Sequence, residues 1–140
     1  MSEPTGRARW FSDNEKNWDD RAELHMAGDY CGYRRLLADP AAISAELAQD
    51  IGRFGDLTGR HVVHLQCHVG TDTIGFARLG ASRVVGLDLS EASLAHARRI
   101  AERAGVGIEY VHANVYDARR AVTGDFDLVY TSIGVLCWLP

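Results

Sequence analysis

HVVHLQCHVGTDTIGFARLGASRVVGLD, residues 61–88, is the stretch on which the fold turns. It reads as an apolar strand, a turn, a short helix and a second apolar strand that ends on a carboxylate, Asp88. Val62, Val63 and Leu65 make the first strand, residues 61–66, apolar on both faces, as in a sheet covered by helices. The helix runs from about Thr71 to Leu79 and stops at Gly80, and the second strand is residues 83–88. Units of this kind hold nucleotide-type ligands where two parallel strands end side by side.

Downstream, Ser90 caps a helix whose inner stripe is Leu94, Ala97, Ala101 and Ala104, and Gly105 closes it. A third strand covers residues 108–113. The polar segment NVYDARRAVTGD then leads to a fourth strand, FDLVYTS, residues 126–132. This order predicts an α/β chain, a three-layer Rossmann-like fold whose mostly parallel sheet has right-handed crossovers. Four strands make an incomplete doubly wound sheet, so the fourth is expected to be an uncovered apolar edge. More of the fold beyond Pro140, or a homodimer through this exposed fourth strand, would cover it.

Upstream, residues 1–12 read as polar and irregular. Asp13 to Gly28 reads as a helix carrying Trp18, Ala22, His25 and Met26, with Asp13 as its cap. A second helix is expected from Asp39 as N-cap and Pro40 at the first position, with the buried stripe Ile43, Leu47, Ile51 and Phe54. Residues 1–59 thus form a helical cap or lid, and residues 60–140 the ligand-binding part.

The chain has 140 residues, 46% hydrophobic and 24% charged, with a net charge of -4. That composition is an ordinary globular one. Nothing in the charge draws it to nucleic acid or to an anionic membrane, and it has no run long and apolar enough to span a bilayer. Three irregularly spaced cysteines and the lack of an apolar secretory core point to a reduced, cytoplasmic protein.

Two glycine frames can be tried on the turn after the first strand. The dinucleotide frame G-x-G-x-x-G places Gln66, His68 and Thr71 where a pyrophosphate needs bare backbone, which disfavours an NAD-type oxidoreductase. The frame acid-x-G-x-G-x-G falls on His64, Gln66, His68 and Gly70, of which Gly70 matches. Asp88, closing the second strand, can hydrogen-bond both hydroxyls of a ribose. His61, His64, Cys67 and His68 are of zinc-ligand type, but strand alternation sends His61 and His64 to opposite faces. Polar turn residues account for them better, and no metal site is expected.

On these residues the chain resembles class I S-adenosylmethionine-dependent methyltransferases over residues 60–140. It is most similar to a bacterial subgroup with HLQCHVGTDT (64–73), NWDDRAELH (17–25) and LCWLP (136–140). The resemblance implies S-adenosyl-L-methionine as cofactor and a small-molecule methyl acceptor. It places Gln66, Cys67, His68 and Gly70 around the methionine end, Asp88 on the ribose and Leu89 against the adenine. Asn114 and Val115 would meet the adenine edge, and Thr131 and Ser132 the methionine moiety. Trp18 and His25 would belong to a cofactor lid, with Trp18 or Tyr30 facing the sulfonium. His25 and His68 are the candidates for a general base, should the acceptor lose a proton. A binding or interaction module without catalysis is the alternative from another class.

Overall fold

The computed structural model describes residues 6–140. Chain order runs α1 (Gly6–Ala27), α2 (Tyr33–Ala38), α3 (Ala45–Asp50), β1 (His61–Leu65), α4 (Thr71–Arg78) and β2 (Arg83–Asp88). It continues with α5 (Glu91–Ala104), β3 (Glu109–His112), α6 (Ala118–Ala121) and β4 (Leu128–Tyr130). All strands are parallel, in the order β3-β2-β1-β4. The chain therefore steps outward on one side of β1, then crosses to its other side for β4. The loops after β1 and β4 border the point where the sheet order reverses, the place where open α/β sheets bind ligands, and the loop after β2 lies on the same strand-end edge.

Alternation along the strands sorts the core. Val62 and Val84 point to the layer of Leu47, Phe76 and Tyr130, whereas Val63, Val85 and Leu87 pack with Val122 on the opposite face. Val69, Ile74 and Ile100 join α4 to α5 and to the turn after α1. Gly75 lets α3 approach α4, since a Cβ there would collide with Leu47. Gly86 does the same for Tyr110, whose ring lies across β2. β4 is the open edge expected from its apolar sequence, with Val129 63% exposed.

The helices before the sheet differ from the sequence expectations. α1 begins by Gly6, so residues 6–12 are helical; residues 1–5 of the stretch read as irregular lie outside the described residues. Asp13 sits within α1 and pairs with Arg9 instead of capping. Asp39, expected to start a helix, instead closes α2, and its carboxylate accepts from the Ala41 N–H in a tight turn around Pro40. The cap of the next helix is Ser44, whose hydroxyl accepts from the Leu47 N–H. The stripe Ile43, Leu47 and Phe54 nevertheless packs on the core. The polar connection after β3 contains α6 and a preceding 3-10 turn, with Asn114 capping that turn.

Replacing Gly86 by alanine would put a methyl 2.7 Å from the Tyr110 ring and 3.0 Å from Cys67 Sγ. Both distances are shorter than a Cβ normally tolerates, so the tyrosine ring or the strand has to shift. The expected result is a loss of roughly 1–3 kcal/mol, read as a lower midpoint in urea denaturation.

Candidate functional site

The turn after β1 keeps the backbone of a glycine motif without its glycines. Gln66, His68 and Gly70 all hold positive φ, at 56°, 54° and 75°. For glycine this costs nothing, but each of the other two pays about 1–2 kcal/mol for the left-handed conformation. Gly70 could not be replaced, because a Cβ there would run into the Tyr110 hydroxyl. The strained turn is held at both ends: Cys67 N–H donates to Leu87 O at 3.0 Å, and Gly70 N–H to Cys67 O at 3.0 Å.

Asp88 ties this turn to the next one. Its Oδ2 accepts from the His68 N–H and its Oδ1 from the Ser90 N–H, both at 2.8 Å. The carboxylate is 9% exposed, toward a cavity. Burial pushes its pKa up, while the backbone donors and His112 pull the other way. Each oxygen keeps a lone pair for a further donor.

That cavity, about 260 Å³, is roofed by α1. Polar ties hold the roof on the domain: Asp19 accepts from the Ser90 hydroxyl at 2.6 Å and from the Ala92 N–H at 3.2 Å. Glu23 meets His96 at 2.9 Å, and Glu15 meets His112 at 3.0 Å. The segment after β4 closes the other side. Trp138 packs edge-on against Trp18, with centroids 5.2 Å apart, and its carbonyl accepts from Asn14 at 3.3 Å. The Gln66 side-chain amide reaches Val135 O at 3.4 Å, so the strained turn and this strap are joined directly.

The cavity brings together Trp18, His25, Gln66, Cys67, His68, Asp88, Leu89, Asn114, Val115 and Ser132, with Tyr30. Gly70 and Thr131 are not in its wall. Gly70 lies behind the turn against Tyr110, and the Thr131 hydroxyl is directed to Leu65 O at 3.4 Å. Sequence reading missed Trp10, Phe11 and Asn14, and the strap residues Ile133, Val135 and Trp138. The spacing of Trp10, Asn14, Trp18 and His25 is the signal that marks one face of a longer helix. Glu46, Thr71 and Asp72 were also missed; Asp72 is buried and accepts from the Ser44 hydroxyl.

Three histidines have distinct settings. His64, at the acid position of the motif, is buried between Phe76 and Tyr130, and its Nδ1 pairs with the Thr73 hydroxyl at 2.9 Å. Burial lowers its pKa to about 3, so it carries no charge at neutral pH. His25 Nδ1 and His68 Nε2 share a hydrogen bond at 3.0 Å. Burial, with the neighbouring His25 and His96 rings, brings His68 down to about 4; burial and Arg21 lower His25.

Comparison with known proteins agrees with this architecture. Residues 62–140 match a family model described as a methyltransferase domain. A ribosomal protein L11 methyltransferase from an Exiguobacterium strain is 37% identical over 75 residues, covering 54% of this chain and 24% of that protein. Among solved structures, an S-adenosylmethionine-dependent methyltransferase from Mesorhizobium loti is 33% identical, with a TM-score of 0.52, covering 60% of this chain and 37% of that one. Magnesium protoporphyrin IX methyltransferase from Synechocystis with bound SAM is 27% identical, with a TM-score of 0.55, covering 67% and 43%. This parallel sheet, with its ligand cavity at the strand ends, is that of the class I methyltransferases, and the chain belongs to the methyltransferase-domain family. It spans about a quarter of the length of the curated relative it matches.

The buried His64 makes a pH test. Its imidazole titrates near 6.5 when unfolded and at about 3 when folded. As pH falls between those values the unfolded state takes up a proton that the folded state refuses, so stability drops. His64→Leu removes this contribution. Its melting temperature should gain on the wild type as pH is lowered through that window, and parallel curves would contradict the assignment. A second variant probes the turn: Gln66→Gly should raise stability by roughly 0.5–1 kcal/mol by relieving the left-handed strain, as measured by chemical denaturation.

Proposed function

We propose that the chain binds S-adenosylmethionine in this cavity and forms the cofactor-binding part of a methyltransferase. Residues 60–140 would be the binding domain and the segment before them its cap. The observation that carries the reading is Asp88: a carboxylate at the end of β2, fixed by two backbone donors, with its free lone pairs toward the cavity. Two vicinal ribose hydroxyls are the group such a carboxylate suits. Leu89, Asn114 and Val115 lie beside it in the cavity wall, where an adenine would extend. The Asn114 Oδ1 accepts from the Tyr116 N–H at 3.0 Å, which fixes the amide plane and leaves its NH2 available.

S-adenosylmethionine, when bound, supplies an electrophilic methyl group with a neutral thioether as leaving group. The work left to the protein is alignment and exclusion of water. Trp18 and Trp138 close over the cavity, and Trp18 is placed to stabilise a sulfonium by cation–π attraction. The acceptor in this reading is a small molecule, as in the magnesium protoporphyrin IX methyltransferase that the chain resembles.

Calorimetry with S-adenosylhomocysteine should show binding, and NAD as control should not. Asp88→Ala is expected to weaken binding of S-adenosylhomocysteine by roughly 1–3 kcal/mol. A thermal melt of the variant checks that the loss is not unfolding. Unchanged affinity in that variant would refute the ribose role.

A further inference from the structure

One stretch of the cavity wall carries a continuous row of neutral hydrogen-bonding groups. Cys31 Sγ lies 3.5 Å from His68 Nδ1, and His68 Nε2 lies 3.0 Å from His25 Nδ1. All three side chains line the cavity. Burial holds the Cys31 thiol up at about 11, so it is S–H at neutral pH. Both imidazoles have lowered pKa values and are neutral there, with one proton each. Between two neutral rings in contact, one must donate and the other accept.

A thiol can donate to an imidazole nitrogen or accept from it, and the tautomer that neutral imidazoles prefer selects the first direction for the row. If Cys31 donates to His68 Nδ1, His68 must carry its proton on Nε2 and donate to His25 Nδ1. His25 then carries its own proton on Nε2. Both rings are in the tautomer that free imidazole side chains prefer, so the arrangement has no internal conflict. His25 is fixed by Tyr30, stacked at 5.3 Å and 21°, and by the edge of Trp18 at 6.1 Å. In that arrangement Nδ1 is occupied by His68, and the one polar atom the ring has left to offer is an N–H.

The charge of the cavity says what that N–H serves. Among the described residues of its wall there is no lysine or arginine, whereas Glu46 and Asp72 both contribute carboxylates. A carboxylate on a ligand would find only neutral donors here, and an ammonium would find acidic partners.

We propose that His25 Nε2–H, at the end of the Cys31–His68–His25 row, binds the carboxylate of the cofactor's amino-acid end, with Asp72 and Glu46 facing its ammonium. This rests on the S-adenosylmethionine reading and assigns His25 to binding instead of proton abstraction. His68 is the positioning residue that fixes the tautomer of His25.

Two probes separate the halves of the cofactor: S-adenosylhomocysteine, which has the amino-acid end, and methylthioadenosine, which lacks it. His25→Phe keeps a ring against Tyr30 and removes the donor. It should lose about tenfold in affinity for S-adenosylhomocysteine while methylthioadenosine changes less than about twofold. His25→Gln, which still offers an N–H, should recover most of the loss. Equal losses for both probes, or no loss for S-adenosylhomocysteine, overturn the assignment. Wild-type protein that binds neither probe brings down the cofactor reading itself. Independently of any variant, heteronuclear NMR of the wild-type imidazole nitrogens should find His25 neutral and protonated on Nε2 near neutral pH. An Nδ1-protonated His25 overturns the proposal.

Discussion

The carboxylate of Asp88 accepts one backbone N–H from each of the two loops that border the cavity, and the geometry around it follows from that bridge. A buried carboxylate needs compensation, and charge-assisted bonds to backbone N–H groups are strong enough to supply it. Because one donor is the His68 N–H, Asp88 also fixes the turn at the residue whose side chain lies between Cys31 and His25. Because the other donor is the Ser90 N–H, it sets the start of α5, whose cap hydroxyl then donates to Asp19 of the roof helix. One side chain thus connects sheet, turn, helix cap and roof.

The turn itself is an exchange of backbone ease for side-chain chemistry. Glycine at positions 66 and 68 would adopt the observed conformation freely, yet glutamine and histidine stand there at a cost of about 1–2 kcal/mol each. What they contribute are contacts no glycine can make: Gln66 to the strap carbonyl of Val135, His68 to His25 and Cys31. Strain of this sort persists where surrounding contacts over-determine the local structure. In this chain those contacts run to elements on both sides of the cavity, so the turn also acts as the joint between roof and strap.

The sheet and its helices were legible because their signals are local. Apolar runs marked β1 and β2 to within a residue, Ser90 and Gly105 marked both ends of α5, and Asp88 stood at a strand end. The roof was legible only in part. The first two turns of α1 lack an apolar stripe because their aromatic residues face a cavity instead of a core, and Asp13 offered a false cap. Asp39 misled for a related reason: its carboxylate does bind a backbone N–H, but in the turn around Pro40 rather than at a helix start. The strap stood out as the LCWLP motif but its place against the roof did not, since what positions Trp138 is Trp18 and Asn14, more than a hundred residues earlier. Most of the expected site residues converge for the simple reason that strand ends in a parallel sheet must lie together. The exceptions, Gly70 and Thr131, are positions where the chain is needed for its backbone or for an internal bond.

The histidine at the acid position changes the electrostatics of the whole site. A carboxylate there would put charge at the base of the turn, whereas His64 is neutral, apolar in its surroundings and bonded to Thr73. Negative charge is displaced outward to Asp88 near one end of the cavity and to Asp72 and Glu46 in its wall. Asp72 can hold its place because the hydroxyl of Ser44, the cap of α3, donates to it, and the burial that raises its pKa is thereby offset in part. The segment before the sheet is bound to it by directional polar contacts as well as by apolar packing, and those bonds fix its register against α4 and α5.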